Sequence, residues 1–170
     1  MENLTFRVAL KSDIQPALDA IWRIFNECGA AGYTVEGKLS FKNFIQYNSV
    51  LDRYYNGDIK LFVCLDGSEI VGALMLRRPS HICLLFVDKL YHRRGIARNL
   101  FEMARLTCIK SNDKLRRITV NSSPDALGFY HRLGFKKSNK QQTKDGITYT
   151  PMQFKIRRRI PVRITEKWMG

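Results

Sequence analysis

Residues 84–98 read Leu84-Leu85-Phe86-Val87-Asp88-Lys89-Leu90-Tyr91-His92-Arg93-Arg94-Gly95-Ile96-Ala97-Arg98. An apolar run gives way to a short polar turn and then to a segment with helical spacing. N–H groups in the first turn of a helix lack intrahelical partners and carry partial positive charge. Such a turn suits a pyrophosphate. Gly95 and Ala97 lack bulk, so an anion can approach the backbone closely. Arg93, Arg94 and Arg98 add charge. Neither the Walker A pattern nor the glycine-rich dinucleotide fingerprint is present. A second cluster begins about 35 residues later, Asn121-Ser122-Ser123-Pro124-Asp125-Ala126-Leu127-Gly128-Phe129-Tyr130-His131-Arg132-Leu133-Gly134-Phe135. A tyrosine hydroxyl in that setting can hand a proton to a leaving group. It can equally be a packed aromatic with its hydroxyl satisfied.

The two stretches, in this order, resemble the GNAT superfamily of acyl-CoA N-acyltransferases. His92-Arg93-Arg94-Gly95-Ile96-Ala97 resembles motif A, Gln/Arg-x-x-Gly-x-Gly/Ala, with His92 where Gln or Arg is usual. Val120 to Phe135 resembles motif B. The resemblance implies transfer of acetyl from acetyl-CoA to a primary amine, by direct attack in a ternary complex. It implies that Arg93, Arg94, Gly95, Ile96, Ala97 and Arg98 surround the pyrophosphate of coenzyme A. Leu85, Phe86 and Val87 would offer strand backbone to the pantetheine arm, and an N–H near Val87 would serve the oxyanion. Tyr130 takes the role of acid toward the departing thiolate. Ser123, with Asn121 as a nearby alternative, takes the polar cofactor contact, and Phe129 packs against the core or the cofactor arm.

The family's glutamate on the strand before the tyrosine has no counterpart, since Arg117–Asn121 holds no carboxylate. His81, at the start of the motif A strand, can titrate near neutral pH and relay a proton. Glu27, Glu36 and Glu69 are other candidates, and an amine that loses its proton easily needs no base. In the family the segment between the first strand and the hairpin lines the acceptor site. Here it holds Trp22, Phe25, Tyr33, Phe41, Phe44, Tyr47, Tyr54 and Tyr55, which core packing would explain as well. The Gly29–Lys38 stretch, with Tyr33 and Glu36, reads as a mobile acceptor wall.

These residues need elements to hold them. Alternation predicts a strand over 4–9. Ser12 or Asp13 caps a helix with Ala17, Ile21, Ile24, Phe25 and Cys28 on one face, ended by Gly29. Gly29–Lys38 reads as loop, and a second helix is expected from about Ser40 to Tyr55. Strands over 59–65 and 69–76 flank the Asp66-Gly67 turn. Further strands are expected over 82–87, 116–121 and 147–156, with helices over 95–110 and 125–133. The expected fold is a single-domain α/β (α+β mixed) GNAT-like architecture over 1–156. Its central sheet is mixed and mostly antiparallel, flanked by helices, with the cofactor cleft at a splayed pair of parallel strands. Residues 157–170 form a basic tail.

The 170 residues suffice for one core without staples. Lys and Arg number 29 against 15 Asp and Glu, a net charge of +14. Such a balance favours anionic partners, nucleic acid among them, and argues against polyamine acceptors. A nucleic-acid or ribosome-associated role and a non-catalytic CoA sensor are the alternatives to an enzyme. Lys114, Arg116, Arg117 and the Arg157–Arg159 run support the first alternative, but no RNA-binding or zinc-finger pattern does. Cys28, Cys64, Cys83 and Cys108 form no metal-ligand spacing and read as reduced thiols of a cytoplasmic protein. The sequence shows no membrane span, signal peptide or metal site, and leaves monomer and homodimer open.

Overall fold

Alternating apolar residues and tight turns build one sheet in the computed structural model, which describes residues 3–30 and 32–157. The strands are β1 (Leu4–Val8), β2 (Ile59–Asp66), β3 (Glu69–Arg77), β4 (His81–Val87), β5 (Arg117–Ser122), β6 (Lys136–Lys137), β7 (Gln142–Lys144) and β8 (Ile147–Lys155). Their order is β1-β2-β3-β4-β5-β8-β6, with β7 also paired to β8. The described pairs are antiparallel except β4 with β5. Helices α1 (Ile14–Ile24), α2 (Val35–Phe44) and α3 (Tyr47–Tyr55) cover one face, and α4 (Ile96–Ser111) and α5 (Leu127–Leu133) the other. This is the mixed, mostly antiparallel architecture expected.

Each face has its own core. Ile14, Ile21, Phe25, Leu61, Val63 and Met75 fill one. Phe62, Leu74, Leu100, Phe101, Phe135 and Met152 fill the other. Alternation along β2 and β3 sends successive side chains to opposite cores. Helix α4 lies tight on β3 because residue 72 is glycine: a Cβ there would stand 2.8 Å from Ile96 Cγ2.

Three local expectations fail for physical reasons. Helix α1 does not end cleanly but runs into a π-helical turn, Phe25–Gly29. The wider turn rotates Cys28 off the apolar face, and it is exposed. The stretch read as loop to Lys38 is helical from Val35, capped by Thr34, whose hydroxyl accepts from Gly37 N at 3.1 Å. The single second helix is two, parted at Ile45–Gln46 where Gln46 is extended. Arg53 donates to the Phe44 carbonyl at 2.6 Å and satisfies a group the break leaves open. Strands β6 and β7 escape alternation altogether, being short and lysine-rich. The basic residues after Arg157 lie outside the described residues.

Candidate functional site

The sheet opens between β4 and β5. These parallel strands are in register only at His81 with Thr119 and Ile82 with Val120, and beyond Ile82 they part. Strand β4 also holds an extra residue: Met75 faces Leu84 while Leu76 faces Ile82, so Cys83 is bulged. The bulge turns both Cys83 and Leu84 toward the α1 side, and Phe86 follows them, while Leu85 and Val87 pack toward α4. A cleft of about 530 Å³ opens at the divergence. Its floor is Cys83–Phe86 of β4. Asn121, Ser123, Ala126 and Tyr130 form one wall, and Tyr33, Phe41 and Phe44 the opposite one.

The turn expected to take the pyrophosphate is built from backbone. Asp88, almost fully buried, accepts from Leu90 N at 2.9 Å and from Arg23 at 2.7 Å, so α1 anchors the end of β4. Burial opposes its charge, yet the Leu90 amide and the Arg23 guanidinium hold the carboxyl below its usual range. Arg93 and Gly95 both take left-handed φ values, 63° and 76°. Gly95 is the N-cap of α4, and no side chain caps the amides that follow. A Cβ at Gly95 would meet nothing within 4 Å, so the space before the helix is open. Backbone amides in such a turn, at a helix start with no side-chain cap, suit an anion. Arg94 lies over the Tyr91 ring, 5.0 Å from its centroid, and Tyr91 donates to Asp66 at 2.8 Å. Arg93 and Arg98 are exposed beside the turn, Ala97 is half-buried, and the Ile96 side chain belongs to the core. The residues present therefore fit a pyrophosphate at the turn and an extended arm along the open edge of β4.

Two details sharpen the sequence reading. His92 Nε2 stands 2.9 Å from the Val87 carbonyl oxygen and donates to it. That carbonyl is thus engaged by the turn itself, and Leu85 and Phe86, not Val87, line the cleft. Phe129 lies outside the lining and packs edge-on against Tyr130, with ring centroids 5.2 Å apart.

Tyr130 is 5% exposed. Its ring is held between Phe129 and Phe135, the latter at 5.3 Å. Its hydroxyl has no hydrogen-bond partner among the described residues. Burial raises its pKa well above the ordinary tyrosine value, so the hydroxyl stays protonated. His81 lies across the cleft floor, its Nδ1 2.8 Å from Thr119 Oγ1. Burial, helped by the Arg77 charge, pushes its pKa down to about 4. The imidazole is therefore neutral at pH 7. Of the other base candidates, Glu27 pairs with Arg23 at 3.6 Å, and neither it, Glu36 nor Glu69 lines the cleft.

Sequence reasoning missed Arg77, Cys83, Lys144, Asp145 and Ile147–Tyr149 of the lining. The one local signal for the β7–β8 part was Asp145-Gly146, whose paired positive φ values of 51° and 74° make a tight hairpin turn. Of the aromatic residues ahead of β2, Tyr33, Phe41 and Phe44 reach the cleft. Phe25 is fully buried in the core, and Trp22, Tyr47 and Tyr54 pack against it.

A family model described as an acetyltransferase (GNAT) domain matches residues 30–156. An uncharacterised N-acetyltransferase, YitH, of Bacillus subtilis is 24% identical over 129 residues, covering 76% of this chain and 42% of that protein. N-alpha-acetyltransferase 30 of Homo sapiens is 30% identical over 88 residues, 46% of this chain and 24% of its own. The chain spans less than half the length of these curated relatives. A GCN5-related N-acetyltransferase from Rhodopseudomonas palustris superposes with TM-score 0.76 at 18% identity, over 92% of this chain and 98% of that one. The PaiA N-acetyltransferase of Thermoplasma acidophilum, in complex with coenzyme A, gives 0.75 at 16% identity, over 91% and 99%. These structural likenesses establish the fold.

Proposed function

This chain belongs to the GNAT acetyltransferase family, and from that premise we propose that it transfers the acetyl group of acetyl-CoA to a primary amine by direct attack in a ternary complex. The observation that carries the reading is the cleft where β4 parts from β5, floored by Cys83–Phe86 and holding the protonated Tyr130 hydroxyl, which has no hydrogen-bond partner among the described residues. The same strand β4 runs on to an uncapped helix start with two left-handed residues.

Acetyl-CoA supplies an activated thioester. The chain's residues do the rest. The amides of Arg93 to Arg98 hold the pyrophosphate, with Arg93 and Arg98 adding charge. Leu85 and Phe86 offer backbone groups to the arm as an added strand would use them, with Asn121 and Ser123 as polar contacts from β5 and the turn after it. Free N–H groups on the open edge of β4 face the acetyl carbonyl oxygen and stabilise charge that develops there. Tyr130 holds a proton for the departing sulfur. His81 accepts the proton of the incoming amine, directly or through water. Its low basicity makes it a weak base, which suits an acceptor that enters already neutral.

The test is calorimetric binding of acetyl-CoA, followed by thiol release across a panel of amines. Micromolar binding and amine-dependent release above hydrolysis are the expected results. Binding without release from any amine would favour a CoA-sensing module, and absence of binding would overturn the reading.

A further inference from the structure

The acceptor end of the cleft has an uneven charge balance. Arg77 closes β3 directly opposite His81. Ala73 and Met75 pack into the α1-side core, so alternation sends Arg77 to that same side, where it lines the cleft. It is exposed, and among the described residues its guanidinium has no ion pair or hydrogen bond. Its charge is felt by both His81 and Cys83. Arg53 adds a second charge behind Cys83, fixed by the Phe44 and Ser49 carbonyls at 2.6 and 3.1 Å. Lys144 on the facing hairpin also lines the cleft and is likewise unpaired among the described residues. The one carboxylate in the lining is Asp145, a turn residue.

The same end is spanned by a clasp. Thr34 donates to the Gly146 carbonyl from its backbone N and from its hydroxyl, each at 3.2 Å, and Ser40 Oγ donates to the Asp145 carbonyl at 3.5 Å. Gly37 and Gly146 meet so closely that a Cβ on either would collide with the other segment. Helix α2 and the β7–β8 turn are thereby joined across the cleft. The cleft as a whole holds about 530 Å³, within the range of small-molecule sites. Tyr33, Phe41, Phe44 and Tyr149 give that space an apolar side.

Resting on the acetyl-transfer reading above, we propose that the acceptor is a small free amine carrying a carboxylate, an α-amino acid with an apolar side chain, whose anion sits on Arg77 and whose side chain lies against Tyr33, Phe41 and Phe44. Arginine's planar fork matches a carboxylate. The unpaired cations repel a polycationic acceptor. Burial is the main cause of the low His81 basicity, and the carboxylate would offset only the added effect of the Arg77 charge.

The experiment compares kcat/KM, by thiol release, for phenylalanine, phenylalaninamide, phenethylamine and a tripeptide with N-terminal phenylalanine. It uses the wild type, Arg77→Gln and Arg77→Lys, with melting curves to show that all three are folded. The expected result is a preference for phenylalanine over its amide of about 10- to 100-fold, the range for a hydrogen-bonded charge. That ratio should collapse toward one in Arg77→Gln and partly return in Arg77→Lys. Equal kcat/KM for acid and amide, fastest turnover of the tripeptide, or a ratio unmoved by Arg77→Gln would each overturn the inference. A protein that binds acetyl-CoA but neither turns over phenylalanine nor binds it when saturated with CoA would overturn it too, and leave the cofactor site standing. Failure to bind acetyl-CoA would sink the underlying acetyl-transfer reading instead.

Discussion

Replacing Tyr130 by phenylalanine separates chemistry from packing unusually well. The ring is clamped by Phe129 and Phe135 and is 5% exposed. Phenylalanine keeps all of that contact. The hydroxyl has no hydrogen-bond partner among the described residues, so its removal orphans no buried group. Folding stability should therefore change by less than about 0.5 kcal/mol, which for this chain length is a melting shift of roughly 1–2 °C. Loss of a general acid, by contrast, slows a reaction about 10²–10⁴-fold, or roughly 3–5 kcal/mol of barrier. The assay is kcat at saturating acetyl-CoA and acceptor, with a melting curve for each protein. A kcat within about threefold of wild type, on an unchanged melt, would refute the acid role and leave Tyr130 as a core aromatic. The pH dependence supplies a second reading. Because burial raises the hydroxyl's pKa, its proton is present throughout the ordinary assay range. Tyr130 should give kcat no alkaline limb below about pH 10. For stability the sign follows from the same shift. The contribution is full below the unfolded value near 10 and is lost as pH rises through the folded one.

Three further outcomes follow from particular contacts. Gly95→Val puts a β-branched residue at a φ of 76° with open space around its Cβ, so strain of about 1–2 kcal/mol arises from the backbone alone. Calorimetry should show acetyl-CoA binding weakened about tenfold, and less so for Gly95→Asn, which tolerates the left-handed region. Equal loss in both variants would argue against the backbone cradle. Gly72→Val drives side-chain atoms into Ile96 and should lower stability by about 1–3 kcal/mol. A melt that does not recover in part when Ile96→Ala is added would mean the clash lies elsewhere. His81, depressed to about 4 by burial and Arg77, binds fewer protons folded than unfolded between pH 4 and 6.5. Stability should accordingly be full above the unfolded value and fall as pH drops through that window. Urea midpoints across pH 4–7 should slope less in His81→Gln; parallel slopes would contradict the shift.

The sequence determined what depends on near neighbours in the chain. The apolar run 59–65, the Asp66-Gly67 signal and the strand 69–76 specified a hairpin, and the turn closes at Gly67-Ser68 between the paired Asp66 and Glu69. The order of strand, polar turn and small-residue helix start specified an uncapped helix beginning at a left-handed Gly95, because those features come from consecutive residues. Phe129-Tyr130 before Gly134-Phe135 specified a short helix, stopped by a left-handed glycine. Long-range contacts decided the rest. Gly37 looked like a loop former, yet it sits in a helix because the Gly146 carbonyl lies against it, 109 residues away in sequence. Strands β6 and β7 have too little apolar content to announce themselves and exist because β8 offers them an edge. Arg77 lies one residue past the strand expected over 69–76, with no local signal to mark it. Only the parting of β4 from β5, and the folding of the hairpin over α2, put it in a cleft with no partner among the described residues. The near-neutral titration expected of His81 failed for the same reason: its composition was visible in the chain, but the desolvation that sets its pKa is a property of the packed sheet.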